Sequence, residues 1–546
     1  MNEFMLNPTR IDRPRSVFPL RFRAPTSMKV GEITPLMLKE VLPGDTWSFD
    51  LSSVITAFSP FVTRVYGDLF LDVYAFFVPN RLVWDHWQQF CGENDTGAWT
   101  QTREYSIPQC AVANGMNSVS IGVGSVGDHF GLPLSIVQCN ELPLRGYARI
   151  YNEWFRNENT DSAIPVTFGD SSNAANIISY ASMPLTACRF ADYFSEGLPG
   201  PQKGGAVSIP LTGNAVVRAD PNIDLGFVHH SLDGAAFYDT NGNVVNTKLF
   251  GMQNTSGKWI GLKPDSLNLA GNYSEIDSSN LVADLSNVTA ATINQWRLAF
   301  QTQKYLELMA RGGSRYIESL KSLFGVTNGD ARLQRTEYLG GKRIPLTFQE
   351  VVATSSSAEN SDTKYALGQQ VVKSVTHDVS SICTKSFTEH GFLHVYGVIR
   401  VKHQYCQGIE RMWSRKDFLD FYNPVFDSIG ETPIYNKEIY YAGVNQAVND
   451  EVFAYQEAWA DYRYDPDKVT GYLRPNVSTG LPTFTFADNF DSMPTLNGFM
   501  HETRGNVVRA FALQNQPADF LCDFFFMGKK VRPMSVRSIP GLIDHH

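Results

Sequence analysis

The apolar positions follow two periods along this chain, and long irregular stretches separate them. After the Pro43-Gly44-Asp45 turn, Trp47, Phe49 and Leu51 alternate with Ser48 and Asp50, as in a half-buried strand. Residues 69–78, LFLDVYAFFV, are apolar on both faces, which predicts a strand covered on both sides. Pro79-Asn80 ends it, and a short helix follows, with Val83, Trp84, Trp87, Phe90 and Cys91 on one side and Gly92 as its stop. Over 143–156, PLRGYARIYNEWFR, the apolar residues Tyr147, Ile150, Tyr151, Trp154 and Phe155 recur at helical spacing, with Arg145, Arg149 and Arg156 off the stripe. Such a stripe faces either the chain's own core or a neighbouring subunit.

Residues 292–341 predict two helices. The first runs from about Thr292 to Ala310 and ends at Gly312-Gly313. The second starts at Ser314, buries Ile317, Leu320 and Phe324, and stops at Gly325. Strand patterns return at 392–403, with Leu393, Val395, Ile399 and Val401 on one face, and again at 505–513 and 520–527. The strands are scattered among long loops, without βα alternation. That favours a mainly β fold, an antiparallel sandwich or jelly roll carrying large insertions and several short helices.

Charge divides the chain into regions. The whole carries −9, and only 18% of residues are charged against 43% hydrophobic and 12% aromatic. Low charge of this kind implies that much of the surface is covered, by partner subunits if not by the chain itself. Residues 1–30 carry a net +4 and four prolines, which predicts an extended basic arm. Residues 212–289 are rich in Asn, Gly, Ser and Thr and carry a net −4, which reads as a solvent-exposed insertion with short strands. The block from Trp296 to Pro345 carries +5. The expected division is therefore 1–30, 31–211, 212–289 and 290–546.

No motif for catalysis emerges. The seven cysteines are widely spaced, without C-x-x-C, and fit reduced thiols better than a disulfide framework or a zinc site. The N-terminus lacks the apolar core of a signal peptide, and no apolar run is long enough for a membrane span. The G-x-G-x-x-G at 122–127 is followed by DHFGLP rather than a helix, so it reads as a glycine loop. His229-His230 has no third ligand nearby, and Arg311-Gly312-Gly313 reads as a helix cap rather than an RNA-binding motif. Glu457 and Asp461 flank Trp459, as a sugar-cleaving carboxylate pair on one helical face would. That leaves a carbohydrate-binding or carbohydrate-active β-sandwich as the alternative function.

Several long blocks resemble one family. ELPLRGYARIYNEWFRNEN (141–159), LPGPQKGGAVSIPL (198–211), 292–326, 387–424 and RPMSVRSIPGLIDH (532–545) are similar to the major capsid protein of the Microviridae, small single-stranded DNA phages, and within it to the gokushovirus branch. The resemblance implies an eight-stranded viral jelly roll, without enzymatic activity or cofactor. It implies sixty copies in a T=1 icosahedral shell around circular single-stranded DNA, assembled in the bacterial cytoplasm. Implied partners are further copies of the chain, the packaged DNA, an internal scaffolding protein, minor virion proteins and a host-cell receptor. Residues 212–289 match, by position, the insertion that forms three-fold protrusions in that branch. Candidate DNA contacts are Arg10, Arg13, Arg15, Arg21 and Arg23 in the arm, with Lys529, Lys530 and Arg532 near the tail. Candidate subunit contacts are Tyr147, Tyr151, Trp154, Arg311 and Arg315.

Overall fold

The computed structural model describes residues 15–91, 105–111, 121–134, 138–171, 181–205, 216–219, 227–230, 251–253, 259–261, 273–276, 281–284, 293–311, 334–352 and 370–537. The chain divides into two compact units, Met1–Lys203 with Met309–His546, and Gly204–Leu308.

Among the described residues, the two main sheets of the larger unit hold nine strands: β1 (Ser16–Met28), β2 (Thr34–Val41), β3 (Thr46–Ala57), β4 (Leu69–Pro79), β5 (Glu337–Pro345), β6 (Phe348–Val352), β7 (Gln370–Ser386), β8 (Gly391–Val401) and β9 (Phe520–Arg532). They form two antiparallel sheets, ordered β1-β9-β3-β7-β6 and β5-β4-β8-β2. Eight of these strands are shared four and four between the sheets in jelly-roll order, with β4 and β5 the one consecutive pair within a sheet, and β6 adds a further edge. The basic stretch expected as an extended arm is, from Ser16 onward, an edge strand. Its prolines fit because an edge strand leaves one row of N–H groups unpaired. In it Leu20 and Phe22 alternate inward, and Phe22 stacks on Phe526 of β9 at 4.9 Å.

The core between the sheets takes alternate residues from every strand: Trp47, Phe49 and Leu51 from β3, Leu71 and Val73 from β4, Val395 and Ile399 from β8, Phe524 and Phe526 from β9. Each such side chain contributes roughly 1.5–3 kcal/mol. A second core lies on the other face of the four-stranded sheet, where Phe76, Val78, Tyr396 and Val398 meet a helix over Leu142–Ile150. β8 therefore has no solvent face: ten of its eleven residues are buried, where the alternating pattern had suggested one apolar face.

That helix continues as a single π-turn over Tyr151–Phe155. Its stripe faces the sheet, so Tyr147 and Tyr151 are core residues rather than subunit contacts. The Tyr147 hydroxyl donates to the Ile33 carbonyl and accepts from Leu185 N. Only Trp154 reaches the surface, 39% exposed, with its indole N–H donating to Thr336 Oγ1 at 2.9 Å. Gly146 permits this packing, because a Cβ there would lie 2.9 Å from His394 Nε2. Arg145 is fully buried. It pairs with Glu141 at 2.9 Å and donates to the carbonyls of Val83, Gly169 and Ser171, which fixes the covering loops. Losing one partner of such a pair costs about 3–5 kcal/mol.

Two expected elements differ. Residues 505–513 are not a strand: a single helical turn spans Gly505–Val508. Arg509 there donates to the carbonyls of Pro482, Thr485 and Ala487, which fastens the segment to a loop instead of a sheet. The glycine loop at 122–127 leads into a short helix, Val126–His129. Ser125 caps it, and the Gly124 amide donates to Asp128 rather than standing free for a phosphate. The predicted second helix, 314–325, lies outside the described residues.

The smaller unit folds back on itself. Val216–Ala219 pairs with Leu281–Asp284, Phe227–His230 with Tyr273–Ile276, and Gly251–Gln253 with Trp259–Gly261, all antiparallel. The outgoing strands meet the returning ones in mirror order. Gly204–Leu308 is wider than the expected insertion and takes in most of the helix Ile293–Arg311. All seven cysteines are free, and Cys110 faces Cys139 across a short strand pair.

Candidate assembly and nucleic-acid surfaces

The two sheets differ in what covers them. The inner strands β4 and β8 of the four-stranded sheet are buried on both sides, whereas the outer face of the five-stranded sheet is open. Side-chain alternation places Arg21 and Arg23 of β1 on that open face, opposite Met527 and Phe525 of β9, with Lys529 opposite Pro19. Arg21 and Lys529 are exposed and form no ion pair among the described residues. Arg23 lies 3.9 Å from Asp523 and over the Phe525 ring at 5.8 Å. Across β3 the same face carries Ser48, Asp50 and Ser52. Three cations beside partly exposed apolar side chains suit a phosphate backbone with stacked bases.

Lys530 and Arg532 have the opposite parity and turn to the other side. Arg532 Nε lies 3.1 Å from Asp45, the same guanidinium donates to the Glu40 carbonyl, and it sits over Trp47 at 5.3 Å. Its charge is committed to the end of the sandwich. Lys530 lies over the same ring, and burial with nearby Arg532 and Lys39 lowers its pKa. Arg15 is also engaged, donating to the Gly44 carbonyl and to Thr46 Oγ1. Arg10, Arg13 and Arg315 lie outside the described residues. Arg311 ends the helix Ile293–Arg311, and its side chain is likewise not described.

One open apolar surface had no periodic signal. Between β8 and β9 the chain makes a long excursion. Within it, Met412, Trp413, Phe418 and Leu419, then Phe421, Tyr422, Val425 and Ile429, all face outward. Trp413 is 75% exposed, Phe418 70% and Val425 83%. A monomer rarely leaves so contiguous an apolar strip in water. The backbone beneath is nonetheless fixed. Asp420 accepts from the amides of Lys416 and Asp417, which hold its carboxyl below the usual range, and Asn423 caps the next turn. Arg415 pairs with Asp461 and lies over Tyr462 at 4.4 Å. Trp459 donates to the Phe426 carbonyl at 3.0 Å and packs edge-on to Tyr422. It does so with φ of +65°, a backbone strain on the order of 1–3 kcal/mol that these contacts offset. Beside the strip opens a cavity of about 370 Å³, lined by Tyr405, Arg411, Met412, Arg415 and Tyr462 among others. The helix Ile293–Arg311 likewise exposes Trp296, Leu298, Phe300 and Tyr305.

The arrangement also removes the sugar-cleaving pair. Glu457 ends a strand and pairs with Arg463 at 2.7 Å, whereas Asp461 sits on a 3-10 turn against Arg415. The two carboxylates are held by different arginines, and the Trp459 indole is occupied by the strip.

A matching family model, described as "Capsid protein (F protein)", covers residues 8–542. The chain belongs to this phage capsid family. Capsid protein VP1 of Bdellovibrio phage phiMH2K is 37% identical to it, covering 96% of this chain and 95% of the relative. VP1 of Chlamydia phage 1 is 34% identical, covering 99% and 98%. VP1 of Spiroplasma virus 4 is 35% identical, covering 97% and 95%. The family makes the chain a structural, self-assembling protein of the virion rather than an enzyme, and agrees with the gokushovirus-like resemblance. No helix among the described residues is long and apolar enough to cross a membrane.

The excursion is joined to the sandwich by a buried ionic cluster. His403, just after β8, contacts Asp488 at 3.1 Å and Glu502 at 3.2 Å. Arg189 pairs with Asp488 at 2.6 Å, and Asn506 also donates to Asp488. Burial opposes a charged His403, but Asp488 and Glu502 outweigh both burial and Arg189, raising its pKa to about 9. Asp488 is held well below its ordinary value: burial raises it, and His403 and Arg189 overcome that. Because the folded-state pKa of His403 lies above its ordinary 6.5, its stabilisation is complete below about pH 6.5 and is lost as pH rises through about 9. The unassembled subunit is therefore expected to lose urea resistance between those pH values, and His403→Gln is expected to flatten that slope. An equally steep slope in the variant would refute the assignment.

Proposed function

We propose that the chain is the shell-forming subunit of a T=1 icosahedral phage capsid, sixty copies enclosing circular single-stranded DNA. The observation that carries the assembly reading is the rigidly held apolar strip from Met412 to Ile429. Membership of a capsid family makes a second copy its natural cover, and the adjoining cavity offers a socket for a neighbour's aromatic side chain. The exposed face of Ile293–Arg311 is a second self-contact, and Trp154 a third. Trp413→Ser and Phe418→Ser are each expected to remove about 2 kcal/mol or more from an intersubunit contact and to raise the concentration needed for assembly roughly 30-fold. Light scattering during assembly measures this, and an unshifted onset would sink the strip as an interface.

The open face of the five-stranded sheet faces the genome in this reading, with Arg21, Arg23 and Lys529 as phosphate contacts. Arg10 and Arg13 extend the same basic run toward the N-terminus. Changing Arg21, Arg23 and Lys529 together to Gln should leave shells forming. It should reduce the dependence of log K on log salt for a single-stranded oligonucleotide by about 2, since each phosphate contact contributes about 0.7. An unchanged slope contradicts the placement.

Residues 212–289 form the exterior protrusion and contribute host attachment. Support comes from their position, composition and folding back within one unit. Particles lacking them are expected to assemble yet fail to adsorb to host cells; normal adsorption would leave the segment with a stabilising role only. An internal scaffolding protein and minor virion proteins complete the partner set, and assembly takes place in the host cytoplasm.

A further inference from the structure

Asp161, Cys188 and His501 come from three distant segments and meet at one point. Their donor atoms all lie within 4.8 Å of one another. His501 Nε2 is 3.2 Å from Asp161 Oδ1. The other ring nitrogen, Nδ1, is buried without a hydrogen-bond partner among the described residues. The frame around the three is rigid. Cys188 and His501 face each other in a β-bridge, and Arg189 Nε donates to the His501 carbonyl. The turn bearing Asp161 is closed by the Asn157 amide on Asp161 Oδ2, and Asn497 ties it to the helix just before His501.

We propose that Asp161, Cys188 and His501 form a binding site for a zinc-class divalent cation. Thiolate, imidazole and carboxylate together select a borderline-soft ion over calcium or magnesium. Tetrahedral coordination at zinc bond lengths places donors about 3.3–3.8 Å apart, so the three need only a small inward movement. A water fills the fourth position, because all three residues are partly exposed. Binding exchanges the Cys188 S–H bond for a sulfur–metal bond and releases one proton to solvent. Burial and the neighbouring Asp161 raise the Cys188 pKa to about 11, so without the ion the thiol stays protonated at neutral pH. The site would pin the Asp161 turn, the Cys188 bridge and the root of the 496–500 helix together, next to the His403 cluster.

The full-length protein, freed of metal with a chelator, is titrated with Co²⁺ and then Zn²⁺. The expected result is a thiolate-to-cobalt absorption band saturating at one ion per chain and displaced by Zn²⁺. Mass spectrometry should show Cys188 protected from alkylation when Zn²⁺ is bound. Cys188→Ser should abolish the band, His501→Gln should weaken affinity about 100-fold or more, and Cys91→Ser, at an exposed cysteine elsewhere, should change neither. No band in the wild-type protein, unprotected Cys188, or a band that survives Cys188→Ser would each overturn the proposal. The wild-type measurements decide it even if a variant fails to fold.

Discussion

The burial of β4 and β8 on both faces is the constraint from which the rest of the architecture follows. A strand without a solvent side must be covered twice, once by the opposite sheet and once by something else. Here the second cover is the helix Leu142–Ile150 with its π-turn, locked by the buried Arg145–Glu141 pair and threaded by loops whose carbonyls Arg145 holds. The covering material is spent on one sheet. The other sheet keeps a bare outer face, and the long excursion between β8 and β9 is left to carry an exposed apolar strip. Asymmetric covering thus gives one subunit a polar face bearing Arg21, Arg23 and Lys529 and an apolar flank.

Much of the sandwich was legible because its residues obey a period. Trp47, Phe49 and Leu51 alternate, and 69–78 do not; both patterns state directly how many faces are buried. The stripe over 143–156 announced a helix, but it could not say that the partner was the chain's own sheet, since an apolar stripe is indifferent to whose core it enters. The pairing of β1 with β9 was hidden for another reason. Four prolines and a cluster of arginines dominate the reading of residues 1–30, and the weaker alternation of Leu20, Phe22 and Ala24 emerges only beside Phe524 and Phe526. Residues 505–513 misled in the other direction: a short apolar run does not reveal that Arg509 will take three loop carbonyls.

The surfaces were harder to read than the core. Arg21 and Arg532 are equivalent in composition, yet strand parity sends one outward and the other onto Asp45 and Trp47. Parity is known only once register is fixed, and register here depends on a partner some 500 residues away. The strip from Met412 to Ile429 has neither period 2 nor period 3.6, because it is built from capped turns. Its signal is instead the coincidence of many large apolar residues with Asp and Asn caps, a combination that holds a backbone still while leaving its side chains unburied.

The position of β9 has a consequence for how the molecule is made. It is the last strand of the sandwich, yet it lies between β1 and β3, the first and third. Until it is in place the sheet is split, with β1 unpaired and β3 an open edge. Closure of so long a loop is slow, and it cannot occur until residues 520–532 have left the ribosome. A truncated product lacks the strand that joins the two halves of the sheet. Such a product never completes the face that bears Arg21 and Arg23. The topology thereby makes the N-terminal edge of the sheet depend on residues 520–532.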